Sequence, residues 1–269
     1  MKIAAIQMVS GADLQANLRC ARDLLGQAAQ AGCELAVVPE YFCIMGHRET
    51  DKLGLRERPG EGPIQQFLSD TARELGLWLV GGTLPLVARD EAHVLNTSLA
   101  FAPDGRCVAR YDKIHLFRFD NGRESYDEAR VIERGARPVA FELQARDGRR
   151  WRIGLSVCYD LRFPELYRQL GADVLLVPSA FTYVTGQAHW ETLLRARAIE
   201  NLAYVVAPAQ GGVHENGRRT WGHSMVADPW GAVLAQREDE GAGLVTATLD
   251  AARLAQVRQQ LPALEHRVL

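Results

Sequence analysis

Three side chains able to do chemistry stand where apolar runs break off. Glu40 follows LAVVP, Lys113 sits in RYDKIHLF, and Cys158 sits in GLSVCYDLRFPE. Ligands of α/β proteins gather at the carboxyl ends of strands, so these are positions where a site is expected. A thiol at a strand-to-helix turn lies near the positive end of the helix dipole, with the next backbone N–H groups facing whatever binds there. Both effects favour a thiolate and an oxyanion. A carboxylate directly after an apolar strand and a proline is costly to bury alone and suits a general base. Each residue also has a plainer reading: Cys158 as a packed strand residue, Glu40 as a cap or rim ion pair, Lys113 as a solvated hairpin lysine.

Other constellations have less behind them. His47, His93, His115, His189, His214, His223 and His266 lie in no flanking motif that would pair one of them with a cysteine. GLSVC does not supply the GxSxG of serine hydrolases, and neither GxGxxG nor GxxxxGK[ST] occurs, so a nucleotide has no phosphate cradle. Cys20, Cys33, Cys43, Cys107 and Cys158 are odd in number and never spaced as CxxC. That argues against a disulfide scaffold and against structural zinc.

The 269 residues carry 31 Lys+Arg against 33 Asp+Glu, a formal charge of −2, with 47% hydrophobic and 24% charged residues. This composition reads as folded. No stretch approaches the roughly 18 apolar residues of a membrane span, and no basic run is interleaved with aromatics for nucleic acid. MKIAAIQMVSGAD turns polar too early for a signal peptide. A cytoplasmic globular protein with neither membrane nor nucleic acid as partner is expected.

The elements that must position these residues recur in one order. Periodicity predicts a strand at Ile3–Gln7, a helix over Leu14–Ala31 capped by Asp13 and closed by Gly32, and a strand at Leu35–Val38. A helix over Ile64–Leu75, a strand at Leu77–Val80 and the hairpin Thr97–Phe101 with Val108–Tyr111 follow. The second half repeats this with strand Ile153–Val157, helix Pro164–Leu170, strand Val174–Val177, helix His189–Asn201, strand Ala203–Ala207 and the hairpin Ser224–Ala227 with Ala232–Ala235. GCELAVVPEYF and GADVLLVPSAF align without a gap, as two copies of one α/β unit would. The prediction is an α/β fold of two facing sheets with helices outside, in a single domain over residues 1–269.

VVPEYF, YDKIHLF and GLSVCYDLRFPELYR, in that order, resemble the signature segments of the nitrilase (carbon–nitrogen hydrolase) superfamily. The resemblance implies a four-layer α-β-β-α sandwich with an internal pseudo-two-fold repeat, paired into a homodimer or higher homo-oligomer. It places the catalytic Glu, Lys and Cys on Glu40, Lys113 and Cys158. A second active-site glutamate falls on Glu128, seven residues ahead of Gly135, with Glu124 the alternative. Arg162, Phe181 and Thr185 would line the substrate pocket, with a salt bridge to Asp160 or Glu165 as the other reading of Arg162.

The implied reaction starts with Glu40 taking the Cys158 proton. The thiolate attacks a terminal carboxamide, Lys113 and the Tyr159 N–H hold the oxyanion, ammonia leaves, and water hydrolyses the thioester. No metal or organic cofactor is implied; the partners are a small carboxylate-bearing amide and water. AHWETLLRARAIEN and GHSMVADPWGAVLAQ resemble both ω-amidases, acting on 2-oxoglutaramate or succinamate, and deaminated glutathione amidases; VVAPAQGGVHENGRRTWGHSMV favours the latter. His214, Arg218 and Arg219 could reach a longer peptide-like substrate or form a solvated loop. An acyltransferase using the same thioester, and a non-catalytic binding protein on this fold, are the readings from other classes.

Overall fold

In the computed structural model, which describes residues 1–268, alternate residues of the central strands part to opposite sides. Ile3, Ala5, Leu35 and Val37 share one core with Ile153, Leu155, Val174 and Leu176. Ala4, Ile6 and Ala36 share another with Leu18, Leu25 and Leu68 of the first two helices. One face of the first sheet therefore packs on the second sheet and the other on helices. On the far side Leu170, Trp190, Leu194 and Ala198 close over the second sheet. The layers run helix, sheet, sheet, helix.

The duplication holds strand by strand. Lys2–Gln7, Leu35–Val37 and Trp78–Val80 are parallel, with antiparallel Val94–Phe101 beside the third. Arg150–Leu155, Val174–Leu176 and Tyr204–Ala207 are parallel, with antiparallel Met225–Ala227 beside the third. Each trio is bordered on its other side by one more antiparallel strand. Val139–Gln144 takes that place next to Arg150–Leu155, and Gly243–Thr248 takes it next to Lys2–Gln7.

Helix ends follow the sequence signals. Asp13 Oδ1 accepts the Ala16 N–H at 2.7 Å, and Gly76 and Gly171 end their helices in the left-handed region. Two expectations are corrected. The helix predicted from His189 starts at Tyr183 and runs to Asn201. Val184, Thr185 and Gly186 depress helix propensity, but a Cβ on Gly186 would lie 2.2 Å from Trp221, so the missing side chain admits that ring. Cys158 leads first into a 3-10 turn, Cys158–Arg162, and only then into the helix Pro164–Leu170. The hairpins Arg118–Asp120 with Ser125–Asp127 and Gly211–Val213 with Arg219–Trp221 were not among the predicted elements. No helix among the described residues is long and apolar enough to cross a membrane.

Gly135 shows how close the chain passes to the lysine. Its N–H donates to Lys113 O at 2.8 Å, and a Cβ there would stand 2.0 Å from Asp112 O. Gly135→Ala must displace the Asp112–Lys113 backbone, at a cost of about 1–3 kcal/mol. A lowered melting temperature together with reduced amide hydrolysis is expected, measured by calorimetry and turnover on one preparation. An unchanged melting temperature would show that this approach is not tight.

Candidate active site

The three predicted side chains reach one place from three strand ends. Glu40 follows Leu35–Val37, Lys113 follows the strand Cys107–Asp112, and Cys158 follows Arg150–Leu155. Lys113 is wholly buried, and its Nζ donates to Glu40 Oε1 at 2.9 Å and to Glu128 Oε1 and Oε2 at 2.9 and 2.8 Å. It therefore points inward, not to solvent. Glu128, rather than Glu124, is the second carboxylate on it.

Every carboxylate oxygen of the pair is occupied. Glu40 Oε1 also accepts from Asn96 Nδ2 at 2.9 Å, and Glu40 Oε2 from the Ala180 N–H at 3.0 Å. Glu128 Oε1 also accepts from the Tyr41 hydroxyl at 2.8 Å, and Oε2 from the Phe117 N–H at 2.7 Å. Burial alone would lower the Lys113 pKa, but the Glu128 and Glu40 carboxylates outweigh it and hold the ammonium charged above its ordinary range. Burial would raise the Glu128 pKa, and the Lys113 charge, with the Phe117 and Tyr41 hydrogen bonds, reverses that and leaves it lowered.

The cysteine departs from expectation. Burial, then the negative charge of Glu40, pushes the Cys158 thiol well above its ordinary value, and Lys113 only partly opposes them. The resting group is a thiol, not the thiolate that a helix dipole would favour; a single 3-10 turn follows it, and two carboxylates outnumber one ammonium. The Ala180 N–H donates to Glu40 and slightly opposes the rise at the sulfur.

Cys158 has φ of +49°, a left-handed conformation that costs a non-glycine residue about 1–2 kcal/mol. It is braced on both sides. Its own N–H donates to Pro178 O at 3.0 Å, the Val157 N–H to Asp160 Oδ2 at 2.8 Å, and the Asp160 N–H to Val157 O at 3.0 Å. Asp160 also accepts from the Tyr111 hydroxyl at 2.6 Å and the His115 N–H at 3.1 Å, tying the lysine segment to the cysteine turn. Tyr159, ahead of the first donor of that turn, carries one of the N–H groups that helical turns leave unpaired.

A cleft opens over this cluster, lined by Glu40, Cys158 and Tyr159 together with Arg162, Phe181 and Thr185. Arg162 makes neither of the salt bridges considered for it. Its guanidinium lies over the Tyr159 and Phe181 rings, with Nη2 3.3 Å from His189 Nδ1. Thr185 shares a 2.7 Å hydroxyl contact with Thr182. His214 is a buried brace instead, with Nδ1 2.8 Å from Ser10 O and Nε2 2.8 Å from Thr220 Oγ1. Arg219 lies outside the cavity, over the Tyr183 ring and paired with Glu240. Arg218 lines the cavity. Among the described residues no group of three His, Cys, Asp or Glu side chains is placed to hold a metal ion.

Comparison with known proteins gives the family. Residues 2–259 match the carbon-nitrogen hydrolase family. The chain belongs to that family. It is 43% identical to the deaminated glutathione amidase of Synechocystis sp., over 98% of this chain and 97% of that protein. The crystal structure of the C. elegans NitFhit protein is similar at a TM-score of 0.88 and 39% identity, covering 99% of this chain and 65% of that longer one. An amidase from Nesterenkonia sp. AN1, with acrylamide added at its active site cysteine, is similar at a TM-score of 0.76 and 26% identity, over 97% of this chain and 98% of that one. This carbon–nitrogen hydrolase is an amide-hydrolysing enzyme.

Several of its site residues escaped the sequence. Asn96, Tyr41 and the Ala180 N–H complete the carboxylate shell. Asn96 interrupts the apolar strand Val94–Phe101, a signal that a buried polar partner was needed. Tyr41, at φ +57°, repeats beside Glu40 the left-handed break seen at Cys158, and no residue type in either segment announces it.

The Glu128 pKa also fixes the sign of a pH effect. Lowered in the folded state, it stabilises the fold above the unfolded carboxyl value of about 4.3, and that contribution is lost as pH falls through the folded value. At neutral pH Glu128→Gln breaks a buried pair, a change worth about 3–5 kcal/mol. The gap in melting temperature between wild type and Glu128→Gln should therefore narrow as pH falls below about 4. A gap constant from neutral pH into acid would contradict it.

Proposed function

We propose that this enzyme hydrolyses deaminated glutathione through a thioester on Cys158. The observation that carries the chemistry is the buried Lys113 ammonium, fixed between Glu40 and Glu128, which line one cavity with the Cys158 thiol. The substrate follows the names of relatives 38–43% identical over 98% of the chain. That compound is glutathione with a ketone in place of its amino group, so the scissile amide joins a 2-oxoglutaryl group to cysteinylglycine.

Because the thiol is protonated at rest, attack and proton removal go together, with Glu40 accepting the proton as sulfur bonds to the amide carbon. The oxyanion forms against Lys113 Nζ and the Tyr159 N–H. On collapse the C–N bond breaks and Glu40 returns its proton to the departing nitrogen. The leaving group is then the amine of cysteinylglycine, which replaces the ammonia and terminal carboxamide expected from the sequence. Glu40 next takes a proton from water, whose oxygen attacks the thioester carbon, and the thiol departs with that proton as the acid is released. Glu128 holds Lys113 in position, and Arg162, with no carboxylate within 4 Å among the described residues, is available to the 2-oxo acid carboxylate.

Supporting the wider reading, Gly243–Thr248 pairs with Lys2–Gln7, as one domain over residues 1–269 would require; Leu269 lies outside the described residues. Exposed Ile199 packs over Gly231 beside exposed Trp230, an apolar face suited to a second copy in a homodimer. Five unpaired cysteines fit a reducing cytoplasm.

Cys158→Ala and Glu40→Gln are expected to keep the fold and lose release of cysteinylglycine, and Lys113→Ala to lose at least about 100-fold. Turnover like that of wild type in any of them removes the mechanism. Intact-mass spectrometry of wild type during turnover should show an acyl adduct on Cys158. By formation of 2-oxoglutarate, the product common to both, 2-oxoglutaramate should have the lower kcat/KM; the reverse order would make the enzyme an ω-amidase.

A further inference from the structure

Arg218 is a cation without an anion. It stands at the end of the hairpin Gly211–Val213 with Arg219–Trp221 and lines the Cys158 cavity. Its Nη2 donates to Ala180 O at 3.1 Å, its Nη1 lies 3.9 Å from Met45 Sδ, and its guanidinium lies 5.0 Å from the Tyr126 ring centre. Its Nε is buried with no hydrogen-bond partner. No carboxylate lies within 4 Å of it among the described residues; the nearby Glu49 is held by Lys52 at 2.6 Å. A buried guanidinium donor without an acceptor is costly, and a carboxylate is the acceptor its planar fork fits best.

The position fits one end of the substrate. After acylation the acyl group stays on Cys158 and the amine departs toward solvent, so the amine's carboxylate must lie on the mouth side. Arg218 packs against Tyr126 of the hairpin Arg118–Asp120 with Ser125–Asp127, whose turn is exposed. Its Nη2 donates to the carbonyl of Ala180, and both residues line the cavity with Cys158. A cysteinylglycine unit, about 7 Å when extended, can reach from one lining residue of a cavity to another.

We propose that Arg218 binds the carboxylate of the leaving group and so selects amides whose amine portion ends in an acid; this rests on deaminated glutathione being the substrate. Arg162 and Arg218 then divide the substrate's two carboxylates, and 2-oxoglutaramate, whose leaving group is ammonia, satisfies only the first.

The test pairs a change in the enzyme with a change in the substrate. Wild type and Arg218→Met, which keeps an unbranched side chain beside Tyr126, are assayed on deaminated glutathione and on its analogue with the glycine carboxylate converted to a carboxamide. Wild type should favour the carboxylate by about 10- to 100-fold in kcat/KM, and in Arg218→Met that preference should fall to about one. A merely structural role would slow both substrates and leave their ratio intact. A preserved ratio in the variant, or no preference in wild type, overturns the proposal while the substrate reading stands. A wild type that hydrolyses 2-oxoglutaramate but not deaminated glutathione overturns both.

Discussion

An ammonium group with no exposed surface persists only where carboxylates surround it, and Lys113 sets that requirement for the whole centre. Two carboxylates are needed to hold it, and they in turn need donors for every oxygen that water cannot reach. Asn96, Tyr41 and the backbone N–H groups of Phe117 and Ala180 meet that need, each from a different stretch of chain. The two sheets must meet for these groups to meet, because Glu40 ends a strand of the first and Ala180 follows a strand of the second. The electrostatics of one side chain thus fixes how the duplicated halves face each other.

The same charges explain the protonated thiol. An excess of negative charge beside the sulfur opposes a resting thiolate. In the proposed reaction the same charge is the proton acceptor, an acyl carbon entering the cavity is the electrophile, and Lys113 stabilises charge on oxygen instead of on sulfur. Such a site protects its cysteine from adventitious oxidation, because reactivity follows the thiolate fraction.

Much of this was legible in the chain. Strand and helix boundaries near Leu35, Pro164 and Gly171 followed from apolar runs, proline and glycine. Glu40, Lys113 and Cys158 stood out because a polar group after a buried strand needs a reason. The Glu128 position came from the family resemblance, through its place ahead of Gly135, and the structure gives that glycine a physical role at the lysine backbone. What stayed hidden depends on tertiary contact. The left-handed conformations of Tyr41 and Cys158 are braced by their N–H bonds to distant residues, Thr83 Oγ1 and Pro178 O. The early start of the helix at Tyr183 depends on Trp221 occupying the space over Gly186. Arg218 in RRTWG reads either as a contact to a longer substrate or as a solvated loop, and only the fold carries it to the cavity.

The edge of the first sheet is completed by Gly243–Thr248, delivered from more than two hundred residues downstream of its neighbour Lys2–Gln7. During synthesis on the ribosome Lys2–Gln7 therefore emerges well before its partner and waits with one flank of amide and carbonyl groups unclaimed until Gly243–Thr248 has appeared. A pairing of such long sequence separation makes for slow folding and leaves an interval in which another nascent chain could zip onto the vacant rim. Arrival of the late strand is the event that seals the molecule against its own neighbours.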